Sequence, residues 1–141
     1  MKKLLIIAFL FVAVSSYSQT ELTGYSNYAI GVKQNFSKRL SAEIKIFTNT
    51  GGLQYSAFDL SLLYGFKPGE YHRFSMGFGV SSFPFDGGLN SFFVPLVLEI
   101  YPVKELKRFS LVIELAPEFD AAEFLNLQQL WGIRYSFGQK D

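Results

Sequence analysis

The sequence predicts an all-β fold: an antiparallel, up-and-down transmembrane β-barrel of about eight strands, seven of them clearly readable. Three observations carry that prediction. Between Ser56 and Ser82 two consecutive runs alternate with the period of two that strands impose. Phe58, Leu60, Leu62, Tyr64 and Phe66 share one face against Ala57, Asp59, Ser61 and Gly65, and Phe74, Met76, Phe78 and Val80 oppose Arg73, Ser75, Gly77, Gly79 and Ser81. The apolar wall would overfill the lumen of a barrel of about eight strands, which is only just wide enough for its own side chains, whereas the wall of Gly, Ala and Ser fits there. Finally, sixteen Phe and eight Tyr stand in a chain only 18% charged, and they cluster at both strand ends as aromatic girdles do at lipid–water interfaces.

In chain order, Lys2 and Lys3 precede an apolar run from Leu4 to Val14, followed by Ser15, Ser16 and Ser18. That is the layout of a secretory signal, and the run is short of the roughly 20 residues a membrane anchor needs. Cleavage after Ser18 divides the chain into a signal peptide, residues 1–18, and a barrel domain, residues 19–141. Tyr25 to Phe36 forms the first readable strand, with Tyr28, Ile30 and Val32 opposite Ala29, Gly31 and Lys33. Leu40 to Asn49 follows a tight turn at Phe36 to Leu40, and Thr50-Gly51-Gly52 leads into the central pair, which Lys67-Pro68-Gly69-Glu70 closes. Asn90 to Val103 is a strand carrying Pro95, which marks an edge or a bulge. Arg108 to Phe119 and Leu127 to Phe137 complete the seven, with a loop at Asp120 to Asn126 long enough for one helical turn. Bacterial single-chain barrels normally have an even number of strands, so Gln19 to Gly24 supplies a short eighth, or the barrel is odd or open, or a partner completes it at an unpaired edge.

Composition excludes several classes. Thirteen basic against twelve acidic residues, two of the basic ones in the signal, leave no excess for nucleic acid. Cysteine is absent and histidine occurs once, so neither a disulfide framework, a metal cluster nor a cofactor is expected. The connections around Ser37, Pro68 and Glu105 are short and those around Gly51, Gly87 and Glu123 longer, which puts the former on the periplasmic side. Lys38, Arg39, Lys67, Lys104, Lys107 and Arg108 all fall at the short turns. One girdle comprises Phe36, Tyr64, Phe66, Tyr71, Phe74, Tyr101, Phe109, Tyr135 and Phe137. The other comprises Tyr25, Tyr28, Phe47, Tyr55, Phe58, Phe83, Phe85, Phe92, Phe119 and Trp131.

The charges on the small-residue wall are the candidate site. Counting outward from the turns sets Lys33 directly opposite Glu43, and Lys45 opposite Asp59. The same counting sets Arg73 diagonal to Glu99, and Arg134 diagonal to Glu114. A bare charge in a narrow lumen is costly, so these eight are expected to pair, filling the lumen and holding register. An ion or proton path through them is the alternative role.

The whole barrel domain resembles, in pattern, the small bacterial outer-membrane β-barrel proteins of the OmpA-domain and OmpX kind. The most specific part is Leu130 to Phe137, where Trp131, Ile133, Tyr135 and Phe137 alternate like that family's C-terminal assembly signal, although Gly138 to Asp141 follow the aromatic. The resemblance implies outer-membrane lipid as surroundings and the barrel-assembly machinery as the partner in insertion. It implies a structural, subunit or loop-binding role. Lipid A-modifying barrel enzymes need a histidine beside a serine, but His72 and Ser75 differ in parity and point to opposite faces. The expectation is therefore a non-enzymatic protein of the bacterial outer membrane. The alternative is a soluble secreted β-barrel or sandwich that holds an apolar ligand.

Overall fold

The computed structural model of the chain describes residues 2–7, 19–48, 57–83, 88–120 and 124–137. The glycine loop at 50–52, Tyr55, Phe85, the cleavage region around Ser18 and the tail after Phe137 lie outside the described residues. Residues 2–7 are helical, and the other regular structure among the described residues is strand. The strands are β1 (Thr20–Tyr25), β2 (Ala29–Asn35), β3 (Leu40–Phe47), β4 (Ala57–Gly65), β5 (His72–Phe83), β6 (Gly88–Phe93), β7 (Leu96–Ile100), β8 (Phe109–Asp120) and β9 (Phe124–Ser136). All pairings are antiparallel, and β1 pairs with both β2 and β9, which closes the sheet on itself. Both β6 and β7 lie between β5 and β8, so the nine strands form the eight staves of a closed barrel. Closure leaves no free edge among the described strands, so the expected partner at an unpaired edge has nothing there to extend.

Pro95 accounts for the split stave. Gly79 opposes Phe93 and, three residues on, Met76 opposes Leu96, so the register against β5 is the same on both sides. Proline lacks an N–H and interrupts the ladder without displacing it. Its carbonyl still accepts from Gly77 at 3.1 Å, and Val94 still donates to Pro117 at 3.1 Å. The expected edge strand is therefore a ladder gap inside a closed wall. True register shifts occur at Ser81/Ser82 and Glu118/Phe119, toward the rim, where barrels commonly place bulges.

The strand predicted from Tyr25 to Phe36 starts later, at Ala29, as β2. Tyr25 ends β1, and residues 26–28 turn the chain with Asn27 at φ 60° and Tyr28 at φ 56°. Asparagine tolerates this left-handed region; tyrosine there is uncommon. The turn is stitched to the last stave, since Ser26 N–H donates to the Trp131 carbonyl at 2.7 Å. The eighth stave is thus the Gln19–Gly24 segment, shifted by one residue. At the opposite end of β2, the Ser37 hydroxyl accepts the N–H of Leu40 at 3.0 Å and of Arg39 at 3.3 Å, the local side-chain bond that favours serine in turns. Strand β8 reaches Asp120 and β9 begins at Phe124, so the predicted seven-residue loop there narrows to 121–123.

Parity decides what each wall carries. Outward go Leu22, Ile30, Val32, Ile44, Leu60, Leu62, Met76, Phe78, Leu111, Ile113 and Ile133, with Leu62 57%, Phe78 56% and Ile133 57% exposed. Inward and buried go Glu, Lys, Arg and Ser, together with Tyr25, Leu63, Phe93, Val97, Val112 and Leu130. That is the reverse of a soluble domain, where large apolar side chains are the most often buried and charges almost never are unless paired.

Aromatic contacts gather at the short-turn end. Phe66 meets Tyr64 and Phe74 with ring centroids 5.7 and 5.5 Å apart, and Tyr135 meets Phe109 and Phe137 at 4.9 and 5.0 Å. At the other end Tyr28 and Trp131 are strongly exposed, but Tyr25, expected in that girdle, is buried in the lumen.

Candidate functional site

Among the described residues, the lumen buries three cations, Lys33, Lys45 and Arg134, and five carboxylates, Glu21, Glu43, Asp59, Glu99 and Glu114, none more than 2% exposed. Glycines on the wall make room for the bulkier groups beside them. The Tyr25 ring lies over Gly31, where a Cβ would come within 2.7 Å of it, and Phe93 covers Gly79, where a Cβ would come within 2.6 Å. A barrel this narrow has no spare volume, so large side chains and glycines alternate around it.

Arg134 on β9 is the hub. Its Nε donates to Thr23 Oγ1 at 2.7 Å and its Nη2 to the Tyr25 hydroxyl at 2.9 Å and Glu43 Oε1 at 3.1 Å. Its Nη1 engages Glu99 closely, with Glu21 3.9 Å away. The planar fork of arginine suits such divided donation. Tyr25 in turn donates its hydroxyl to Glu43. Lys33 Nζ lies 3.1 Å from Glu21 and 3.0 Å from Glu99. Lys45 Nζ lies 2.5 Å from Glu114 and packs over the rings of Tyr25 and Phe93 at 5.4 and 5.8 Å, distances at which cation–π attraction is effective. Asp59 bonds the hydroxyl of Ser81, its register partner on β5.

The expected registers and the observed partners differ in an instructive way. Lys33 does stand opposite Glu43, and Lys45 opposite Asp59. Yet their ammonium groups go elsewhere: Lys33 to Glu21, its ladder partner on the other side, and across the lumen to Glu99, and Lys45 across the lumen to Glu114. Counted round the eight staves, β2 faces β7 and β3 faces β8 across the lumen. Neighbouring long side chains run side by side to the axis, where the facing wall's head groups meet them. Arg73 is directly opposite Glu99 rather than diagonal to it, and its guanidinium turns to the Lys38 carbonyl at 3.1 Å, half-buried at the short-turn rim. Arg134 opposes Ser110, and Glu114 opposes Leu130, so those two are four positions apart along the ladder, not diagonal.

Four participants escaped the sequence reading: Glu21, Thr23, Tyr25 and Tyr101. The first three share the inward parity of β1, and carrying the candidate strand Gln19 to Gly24 on to Tyr25 and following its parity would have found them. Tyr101, beyond the end of β7, donates to Glu99 Oε2 at 3.0 Å. Burial first, and then the Glu99 carboxylate, push its phenol well above its ordinary pKa, so it remains a donor.

Of the last strand, Trp131 and Ile133 are exposed on the outer wall, Tyr135 is half-buried among Phe109 and Phe137, and Phe137 follows the strand end. His72 is exposed at the short-turn end and Ser75 buried in the lumen. Chemically, the lumen is a set of internal braces: each cation reaches at least one carboxylate on a strand distant in sequence, Lys33 to Glu99, Lys45 to Glu114, and Arg134 to Glu43 and Glu99. Comparison with protein-family models, curated proteins and solved structures finds no match.

Proposed function

We propose that the chain is a small, non-enzymatic outer-membrane barrel protein, exported through a signal peptide of residues 1–18, whose lumen is plugged by its own charges. One observation carries the reading: around a closed ring of eight staves the apolar side chains point outward and the charges inward. A closed barrel satisfies every backbone group internally, the condition for crossing hydrocarbon. Exposed Leu, Ile and Phe are costly in water at roughly 25 cal/mol per Å² and are at home in lipid. The soluble alternative, a carrier of an apolar ligand, asks for an open apolar lumen; here ion pairs cross the lumen beside a small apolar cluster of Tyr25, Leu63, Val97, Val112 and Leu130. A plugged lumen leaves structural, subunit or loop-binding roles as the fitting ones. Under this reading the protein stands beside the OmpA-domain and OmpX kind, with Trp131, Ile133, Tyr135 and Phe137 read by the barrel-assembly machinery.

The test is electrophoretic, combined with fractionation. Detergent-folded protein should migrate as a compact band when unboiled and as a separate unfolded band after boiling, and the native protein should appear in the outer-membrane fraction. Protein that stays monodisperse in buffer without detergent overturns the reading.

A further inference from the structure

The two ends of the barrel differ in charge. The three short turns, residues 36–40, 66–71 and 101–108, carry six cations, Lys38, Arg39, Lys67, Lys104, Lys107 and Arg108, against two carboxylates, Glu70 and Glu105. All eight are exposed, and Glu70 is engaged by Lys104. The connections between the other strand ends, residues 26–28, 48–56, 84–87 and 121–123, contain Asp86 and Glu123 and neither Lys nor Arg. The basic turns sit just beyond the band of Tyr64, Phe66, Phe74, Phe109 and Tyr135, and Arg39 Nη1 donates to the Tyr64 hydroxyl at 3.0 Å. An aromatic band fixes the depth of the lipid interface. The cations therefore lie at the level of phospholipid head groups, spread over all three connections of that rim.

We propose that this basic collar binds the head groups of anionic phospholipids in the leaflet that meets the short turns. The inference rests on the membrane reading above. Basic side chains beside an anionic surface are each stabilising and act within a Debye length, and a glycerol-phosphate head group with its uncompensated negative charge is the complementary partner. Lys104, already occupied by Glu70, should matter least.

The test uses the folded chain in phosphatidylcholine vesicles containing trace spin-labelled phosphatidylglycerol or spin-labelled phosphatidylcholine. The motionally restricted fraction of each label reports its association with the barrel. Phosphatidylglycerol should associate about fivefold more strongly, with the excess lost in high salt and in the Lys38→Gln/Arg39→Gln/Lys107→Gln/Arg108→Gln variant, and retained in Lys104→Gln. All these positions are exposed turn residues, so the variants should keep the folded band of the electrophoretic test. Equal association of both lipids, or a preference that survives the fourfold variant, overturns the collar while leaving the membrane reading standing. Failure to insert into vesicles at all overturns the membrane reading and the collar with it.

Discussion

Replacing Arg134 by methionine should destabilise the folded barrel by about 3–5 kcal/mol, the usual cost of stranding buried carboxylates by removing their cation. Here the stranded groups would be Glu43 and Glu99, with Glu21 nearby, and Thr23 and Tyr25 would lose an acceptor-matched donor. Urea unfolding of the detergent-folded protein measures it. Arg134→Lys should recover only part of the loss, because one ammonium group cannot serve carboxylates on β3 and β7 as a fork does. Adding Glu43→Gln to Arg134→Met should be less damaging than the sum of the single changes, with a coupling on the order of 0.5–3 kcal/mol. If Arg134→Met costs no more than a surface change, about 0.5 kcal/mol, the lumen charges are not the brace described here. Should the single variant not fold, the Arg134→Met/Glu43→Gln/Glu99→Gln variant, which leaves fewer bare charges, should regain the compact band.

Leu62→Arg should cost about 2–4 kcal/mol when the protein is folded in a bilayer, the penalty for a cation on the lipid face near the midplane. Leu62 lies mid-strand on β4, 57% exposed and opposite Phe78, itself 56% exposed. The same substitution at an exposed site of a water-soluble barrel would fall within about 0.5 kcal/mol. The two media therefore predict different answers from one variant. Moving the arginine to Leu40 or Phe109, at the short-turn end, should reduce the cost to roughly 0–1 kcal/mol. A flat profile along the strand would contradict a lipid-facing wall.

Much of the wall assignment was legible because strand parity is strict: one glance at Phe58 to Phe66 settles which residues travel together, and the structure keeps those sets apart on every readable strand. Registers across short turns were legible too, as Lys33 opposite Glu43 shows. The first strand was legible only as one alternative among several, for a physical reason. Only Leu22 is apolar and outward on β1, Gly24 shares its face, and the turn after Tyr25 contains neither glycine nor proline. The ion-pair partners were illegible for a different one. Pairing was reasoned along the ladder, between neighbours, but in a barrel this narrow a lysine reaches the opposite wall, so Lys45 meets Glu114 and not Asp59. Pro95 looked like an edge because sequence shows the missing donor and not the unbroken register on either side of it.

Which medium touches the Leu and Phe rows is best asked with a nitroxide at Leu62 and, on a distant stave, at Ile133, in the protein reconstituted into vesicles. A lipid-facing wall predicts frequent collisions with dissolved oxygen and few with a water-soluble nickel chelate at both positions. Free access of the chelate to both would mean that water bathes the apolar wall, and the barrel would then not be a membrane protein.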